Sequence, residues 1–179
     1  MDENKLKEIL DKHEKWLNGE KGRERADLSY SNLSNSNLRG SNLSCSDLRG
    51  SNLSGSNLSG SDLSGSNLTC SNLSGSDLSG SNLSGSNLRG SDLSGSNLRG
   101  SDLDYSVWPL WCGSLKAYVD DRIAIQLLYH TLSVVQHSPY VSDELKRALL
   151  TPGNIDAANR FHHVDECGKL KVYNDGSTI

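Results

Sequence analysis

The sequence contains few of the large apolar residues from which a globular core is normally built. Phenylalanine and methionine each occur once, aromatic residues make up 6% of the chain, and hydrophobic residues make up 34%. Such a composition is common in disordered chains, which usually also carry a strong net charge. The net charge here is only −4 over 179 residues. Composition alone therefore does not indicate disorder, and the regularity of the sequence has to decide.

Other absences narrow the class of protein further. No apolar run approaches the ~18 residues of a membrane-spanning helix, and the N-terminus has no signal-peptide pattern. The four cysteines, Cys45, Cys70, Cys112 and Cys167, form no CxxC pair. We therefore expect a reduced, soluble, cytoplasmic protein without membrane contact. A pI near 5.7 is unlike the basic surface of most nucleic-acid-binding proteins, so no direct nucleic acid binding is expected.

A five-residue repeat fills residues 26–105. Its sixteen units follow the order small residue, Asn or Asp, Leu, usually Ser or Arg, and usually Gly, with a leucine at every fifth position from Leu28 to Leu103. On a helix, a step of 100° per residue would spiral these leucines around the axis. On a strand, the odd spacing would place alternate leucines on opposite faces. All sixteen stay on one side only if the chain turns a corner in every unit.

The last residue of each unit indicates how the corner is made. Eleven of the sixteen units end in glycine, which a type II turn favours at its positive-φ position. The other five units end in Tyr30, Asn35, Cys45, Cys70 and Tyr105. Because a Cβ disfavours the left-handed region, we expect these five corners to switch toward type I geometry, with Asn35 the most tolerant.

This pattern resembles that of the pentapeptide-repeat family, whose consensus is roughly A(D/N)LXX, over residues 26–105. The resemblance implies a β fold, a right-handed quadrilateral parallel β-helix with four units per coil and therefore about four coils. At a strand spacing of about 4.8 Å, the rod would be roughly 20 Å long.

The chain departs from the family at the inward small residue, which is usually alanine. Only Ala26 keeps it, and the other fifteen units carry serine. A buried hydroxyl without a partner costs roughly 1–3 kcal/mol, and fifteen such penalties would exceed the usual domain stability of about 5–15 kcal/mol. We therefore expect every inward serine to be hydrogen-bonded, to the backbone or to serines one coil away. The Asn/Asp side chains should form ladders along each face and bond to the turn backbone.

The two ends of a β-helix expose unpaired backbone edges, which need caps. The N-terminal segment reads as an amphipathic helix over Glu3–Leu17, with its apolar stripe on the first coil. The stripe consists of Leu6, Ile9, Leu10, His13, Trp16 and Leu17. After the repeat, Trp108 and Trp111 are expected to form a lid over the last coil. Start and stop signals predict further helices near residues 119–135, 142–150 and 151–161. The predicted domains are a capping helix in residues 1–25, the β-helix in residues 26–106, and a small helical C-terminal domain in residues 107–179.

Candidate metal ligands cluster only loosely. His163 and Cys167 lie four residues apart, which would align them on one helix face. The wider set of candidates is His130, His162, His163, Cys167 and possibly Cys112. Their sequence spacing does not predict whether they lie close together in space. Polar side chains that bond locally are the simpler interpretation, and we expect neither a metal nor another cofactor.

Nucleophile and acid–base candidates are also weak. Cys45 and Cys70 should face solvent at corners, and the repeat holds no histidine to activate them. No GxSxG motif accompanies the many serines. The Asp120-Asp121 pair is better explained as charge at the start of a helix than as a catalytic pair. We therefore expect no enzymatic activity.

Charges can be sorted onto four faces by taking every fourth unit. Face four (units 4, 8, 12 and 16) carries three carboxylates and no arginine, whereas face three (units 3, 7, 11 and 15) carries two arginines around Asp77. The weak interaction candidates are Asp62, Asp102 and Asp104 on face four and Arg39 and Arg99 on face three. Some pentapeptide-repeat proteins imitate duplex DNA and bind a type II topoisomerase. However, seven aspartates against four arginines give the repeat a net charge of −3, whereas about 20 Å of duplex carries about twelve negative charges.

The favoured hypothesis is a non-enzymatic interaction or scaffold protein with an unidentified protein partner. The units of the rod are nearly invariant, whereas residues 107–179 are diverse in sequence and should bind the partner, as a monomer or as a dimer through the C-terminal helices. The alternatives are a DNA-mimic inhibitor of a type II topoisomerase, a small metal-dependent enzyme in the C-terminal domain, and a flat face of Ser, Thr69 and Asn that binds ice or a polysaccharide.

Overall fold

The repeat winds with a period of twenty residues in the computed structural model, which describes residues 1–109, 117–160, 164 and 169–172. Parallel bridges join Asn/Asp positions twenty residues apart, from Asp27↔Asp47 to Asn82↔Asp102. Twenty residues are four units, so each coil has four sides. Every leucine of the repeat is at most 3% exposed, which confirms that the sixteen side chains meet inside the coil.

Three backbone hydrogen bonds per unit tie one coil to the next. In the unit that contains Leu53, the leucine N–H donates to Asn72 O at 2.7 Å and the corner Gly55 N–H donates to Ser74 O at 2.9 Å. The third bond runs from Asn72 N–H to Ser51 O at 2.9 Å. Each face contributes only one bridged residue per coil, so the rod is stabilised by stacking many identical rungs rather than by long strands.

All sixteen corner residues have a positive φ, between 61° and 70° at the glycines and between 55° and 59° at Tyr30, Asn35, Cys45, Cys70 and Tyr105. The prediction that the last five would adopt type I geometry is therefore wrong. At Cys45 the corner N–H donates to Ser64 O at 2.8 Å, and Ser46 N–H closes the turn on Leu43 O at 3.1 Å. The left-handed conformation costs about 1–2 kcal/mol. A different turn would lose a hydrogen bond between coils, worth about 1 kcal/mol, and would misalign the next face. The hydrogen bonds between coils therefore determine the corner conformation.

Corner glycines also make room for side chains from the preceding coil. A Cβ added to Gly50 would lie 2.7 Å from the Tyr30 ring, and one added to Gly55 would lie 2.6 Å from Asn35 Oδ1. The same arrangement places Cys45 Sγ over Gly65. Corner side chains thus run along the rod, and the position one coil later has to be small.

Most inward serines bond to the backbone of their own turn. In twelve of the fifteen serine units, Ser Oγ donates to the leucine carbonyl three residues earlier, at 2.6–2.7 Å. The exceptions are Ser46, Ser66 and Ser86, whose buried hydroxyls have no hydrogen-bond partner. The prediction is therefore confirmed for twelve serines and wrong for three. All three lie on face one (units 1, 5, 9 and 13), in the column that begins with Ala26.

The Asn/Asp side chains bond within their own turns, as predicted. Asn32 Oδ1 accepts the Ser34 N–H at 3.1 Å and the Ser34 hydroxyl at 2.8 Å, and most units repeat this pattern. A side-chain bond of this row crosses between coils from Asn97 Nδ2 to Asp77 Oδ1 at 3.1 Å, as the predicted ladders require. Most of the printed bonds of the row are local turn bonds.

The repeat and the N-terminal segment form one unit, Met1–Val119. Its helix α1 (Glu3–Leu17) has the predicted bounds and begins at Asp2, whose side chain accepts the Lys5 N–H. Past the last unit, Val107 bridges Asn87 and Tyr118 bridges Asn97. Trp108 is half-buried, whereas Trp111 of the predicted lid lies outside the described residues. The predicted domain boundaries stay predictions.

A second unit, Asp120–Ile179, contains the remaining described helices. These are α2 (Asp121–His137), α3 (Asp143–Leu149) and α4 (Pro152–Ala158). Each begins at a capping side chain, from Asp120, Ser142 and Thr151 respectively, so the aspartate pair starts a helix as predicted. The core of this unit consists of Tyr129, Leu132, Val135, Leu150, Ile155, Ala158 and Leu170. The end predicted for α4, at residue 161, lies outside the described residues.

Replacing an inward serine by alanine should change the stability of the protein differently at hydrogen-bonded and at unpartnered positions. Ser51→Ala removes the donor to Leu48 O and should lower the free energy of unfolding by about 1 kcal/mol. Ser46→Ala, in the neighbouring unit and equally buried, should leave stability unchanged or raise it, because it removes an unpartnered hydroxyl. Urea denaturation measures both. Equal losses of unfolding free energy in the two variants would contradict the difference in hydrogen bonding between Ser51 and Ser46.

Replacement of a strained corner residue by glycine should stabilise the rod. Cys70→Gly removes a Cβ from a residue with φ 57°, and the relief of about 1–2 kcal/mol exceeds the entropy that glycine adds, about 0.5–1 kcal/mol. Thr69→Gly is the matched control and should be destabilising, because it loses the hydroxyl bond to Asn67. Thermal unfolding compares them, and a loss of stability in both variants would show that the corner is not strained.

Candidate functional site

Face four is the acidic side of the rod. Asp62 and Asp102 lie in one column, bridged through Asn82, so they are separated by two coils or about 10 Å. Each carboxylate is engaged by its own turn, since Asp62 accepts the Ser64 N–H and Asp102 accepts the Asp104 N–H, both at 2.9 Å. Their outward oxygens make a short acidic row rather than a pocket.

Face three carries the two exposed arginines of the prediction. Arg39 and Arg99 lie in one column three coils apart, about 14 Å, with Asp77 on the same face between them. Hydrogen bonds from the Ser79 hydroxyl and N–H lower the pKa of Asp77, and Asn97 and Arg39 add to the effect. The structure therefore places all five predicted interaction residues at the surface, on two faces, and does not gather them into one site. Their role stays a prediction.

Face one neutralises its own charges. Arg49 Nη2 lies 2.9 Å from Asp47 Oδ2 in an ion pair whose aspartate side chain is 12% exposed and whose arginine side chain is 48% exposed. The pKa of Asp27 is lowered mainly by the hydroxyl and N–H of Ser29, with Arg49 contributing. This side of the rod therefore offers little net charge to a partner.

The candidate nucleophiles and metal ligands that lie within the described residues do not form a common site. Cys45 and Cys70 are exposed free thiols at their corners, as predicted. His130 is exposed on α2 and lies edge-on to Tyr129, with ring centroids 5.6 Å apart. The other candidates, His162, His163, Cys167 and Cys112, lie outside the described residues. Within the described part of the chain, no three His, Cys, Asp or Glu side chains are grouped to hold a metal.

The helical unit exposes apolar side chains near the connection of α2 and α3. Val134 on α2 is 67% exposed, Tyr140 in the connection is 96% exposed, and Leu145 on α3 is 46% exposed. The two helices pack against each other, and the three residues lie on them and in their connection. We call these three residues the α2–α3 patch. On the rod, the exposed aromatics Tyr30 and Tyr105 lie at corners of the first and last coils.

Sequence reasoning missed the polar contacts at the N-terminal end of the rod. His13, predicted as part of the apolar stripe of α1, is fully buried. Its Nδ1 accepts the Ala26 N–H at 3.1 Å, and its Nε2 lies 3.0 Å from Ser44 O. The Met1 amine donates to Asn32 O. A histidine inside an otherwise apolar stripe was the available signal, because a buried imidazole requires partners for both nitrogens.

None of the helices within residues 1–109 and 117–160 is both long and apolar enough to cross a bilayer. This finding covers the ranges in which α1 to α4 lie.

Comparison with known proteins identifies the repeat. Residues 24–60, 46–85 and 66–104 match the family model for pentapeptide repeats, in eight copies. A comparison with curated protein sequences gave no significant match.

Several solved pentapeptide-repeat structures are similar over part of the chain. Rfr23 from the cyanobacterium Cyanothece 51142 is 36% identical, with 52% of this chain and 60% of that chain covered and a TM-score of 0.46. HetL from Nostoc sp. strain PCC 7120, involved in heterocyst differentiation regulation, is 32% identical, with 52% and 43% covered and a TM-score of 0.46. The alr5209 protein of Nostoc PCC 7120 is 28% identical, with 62% and 93% covered and a TM-score of 0.37.

The matched region spans less than two thirds of Rfr23 and of HetL. Eight family-model copies across residues 24–104, wound four units to the coil, show that this part of the chain consists of pentapeptide repeats, which imply a right-handed quadrilateral β-helix.

Proposed function

We propose that the protein is a non-enzymatic interaction or scaffold protein whose helical unit, Asp120–Ile179, binds a protein partner while the β-helix acts as a stiff support. The observation that carries the proposal is a contrast between the two units. The outward polar groups of the rod are mostly used inside their own turns, whereas the helical unit leaves the α2–α3 patch uncovered.

The outward side chains of the rod are so similar from unit to unit that a partner could hardly distinguish one position from another. On face two (units 2, 6, 10 and 14), the outward side chains are asparagine and serine apart from Asp92. Their donors and acceptors are largely engaged locally, as where the Ser74 N–H and hydroxyl bond to Asn72 Oδ1 at 2.9 and 2.7 Å. A partner would have to break these turn bonds to read such a face. This supports a mechanical rather than a recognising role for the rod.

The α2–α3 patch has the chemistry of an interface. Burial of apolar surface contributes about 25 cal/mol per Å², and exposed aromatic residues are enriched among those that dominate binding energies. Tyr140 is almost completely exposed and can be buried by a partner without unfolding the unit. The flanking α3 carries Asp143 and Glu144 in its first turn and Lys146 and Arg147 in its last turn, which would supply a polar rim. A protein surface with an apolar centre is therefore the proposed partner.

The alternatives have less support. The acidic row of face four consists of three carboxylates, far fewer than the phosphates of a duplex of the same length, and Arg49 neutralises Asp47 on face one. The metal-dependent enzyme stays an alternative prediction, because His162, His163, Cys167 and Cys112 lie outside the described residues.

The partner should depend on the α2–α3 patch and not on the rod's exposed aromatic residue. The double variant Val134→Asp, Tyr140→Ser places a charge in the patch and removes its aromatic ring. The amount of the stoichiometric partner that co-purifies with it from the native host should therefore fall at least tenfold. Tyr30→Ser, which removes an exposed ring from the rod, is the matched control and should retain the partner. Retention by the double variant, or loss by the control, would refute the proposal.

The DNA-mimic alternative predicts a different result. A type II topoisomerase supercoiling assay with excess full-length protein should be unaffected, because face four lacks the charge density of DNA. Inhibition that disappears in Asp62→Asn, Asp102→Asn but persists in Arg39→Gln would instead assign the function to face four.

A further inference from the structure

The N-terminal end of the rod is closed by bonds that a neutral histidine makes. His13 on α1 is 0% exposed. Because its Nδ1 accepts the Ala26 N–H at 3.1 Å, the ring proton is on Nε2, which donates to Ser44 O at 3.0 Å. Both nitrogens of the neutral ring are therefore satisfied by the first coil.

His13 takes the place of a coil that the rod does not have. One coil later, the carbonyl equivalent to Ser44 O is Ser64 O, which accepts the corner N–H of Cys45 at 2.8 Å. At the first coil no earlier corner exists, and the His13 Nε2–H supplies the donor. The Met1 amine does the same for Asn32 O, whose equivalent Asn52 O accepts the Leu33 N–H. The cap therefore continues the hydrogen-bond ladder by side-chain and terminal groups.

A second proton on the ring would find no compensating charge. The ring is stacked on Trp16, with centroids 5.6 Å apart and an interplanar angle of 10°. Among the described residues, the charged group that acts on it is the Arg25 cation. The neighbouring charges are engaged elsewhere: Asp27 with Ser29, Asp47 with Arg49, and Lys12 with Glu8 and Glu24.

The titration of the ring follows from this environment. Burial lowers the pKa of His13 from its ordinary value of 6.5, and Arg25 lowers it further, against a smaller raising effect of the Ser44 bond. Because the folded protein then binds fewer protons than the unfolded chain, the stabilisation is complete above about pH 6.5. It is lost as the pH falls through the folded-state pKa. The pKa values of Asp27 and Asp77 are lowered from 3.8, so these carboxylates stay charged throughout that range.

We propose that His13 is a proton-sensitive latch: a second proton, placed on Nδ1, breaks the bond to Ala26, releases α1 from the first coil and opens the N-terminal edge of the rod. The Nδ1–H would oppose the Ala26 N–H donor, and the charged ring cannot stay buried without a counter-ion. Release uncovers Ser44 O, the Ala26 N–H and the inner leucines of the first coil. Such an unpaired edge can pair with another backbone, so acidity would control access to this end of the rod.

Amide hydrogen exchange of the full chain tests the latch. After correction for intrinsic rates, the protection of the Ala26 and α1 amides should fall by up to tenfold per pH unit between about pH 6.5 and the lower folded-state pKa, and measurements from about pH 7.5 to 4.5 follow this fall. Amides in the middle of the rod, such as that of Leu53, should keep their protection. His137→Asn, which changes an exposed histidine on α2, is the matched control and should behave as the wild type. In His13→Asn the protection of α1 should no longer depend on pH.

Two results would overturn the proposal. One is α1 protection that stays constant down to about pH 4.5 in the wild type, and the other is an undiminished pH dependence in His13→Asn. If that variant fails to fold, imidazole ¹⁵N shifts of the wild type decide the matter. The latch requires an Nε2–H tautomer at neutral pH and a ring protonation that coincides with the loss of α1 protection. A ring that is already charged at neutral pH, or that titrates without any change in α1, would contradict it.

Discussion

The structure depends on the hydrogen bond that each corner N–H of the first three coils donates to the next coil. This bond holds neighbouring turns in the same alignment, so that every fifth residue points inward and the leucines stack. It also explains why Tyr30, Asn35, Cys45 and Cys70, which have a Cβ, accept a positive φ. Left-handed strain of about 1–2 kcal/mol per corner is tolerated because a different turn would displace every unit stacked on it.

The same constraint shapes the surface of the rod. Most polar side chains of the unit have a bond inside their own turn: the inward serine to the leucine carbonyl, except at Ser46, Ser66 and Ser86, and the Asn/Asp side chain to the N–H two residues later. The rod is therefore largely satisfied internally and nearly uniform. Where the repeat ends, at Ala26, unsatisfied groups remain, and a histidine from α1 meets them. Distinctive chemistry in this molecule consequently lies at the end of the rod and on the helical unit.

The fold could be predicted from the sequence, whereas the candidate site could be predicted only in part. Leucine spacing predicted the coil, apolar periodicity predicted the bounds of α1, and capping residues predicted the starts of α3 and α4. The corner geometry of Cys70 was not predictable from the unit alone, because it is decided by the carbonyl of Arg89 nineteen residues later. The contacts of His13 depend on how α1 meets the first coil, which helical periodicity does not specify. The difference between Ser46 and Ser51 has no counterpart in their identical sequence positions.

The twenty-residue winding is tested most directly by a scalar coupling across one hydrogen bond. Among the described corner bonds, the one from Cys70 to Arg89 alone joins a cysteine amide to an arginine carbonyl, and its N and O atoms are 2.9 Å apart. The account predicts a measurable coupling between them in solution. A coupling from the Cys70 amide to a carbonyl four residues earlier, or to a carbonyl other than that of Arg89, would contradict the four-sided coil.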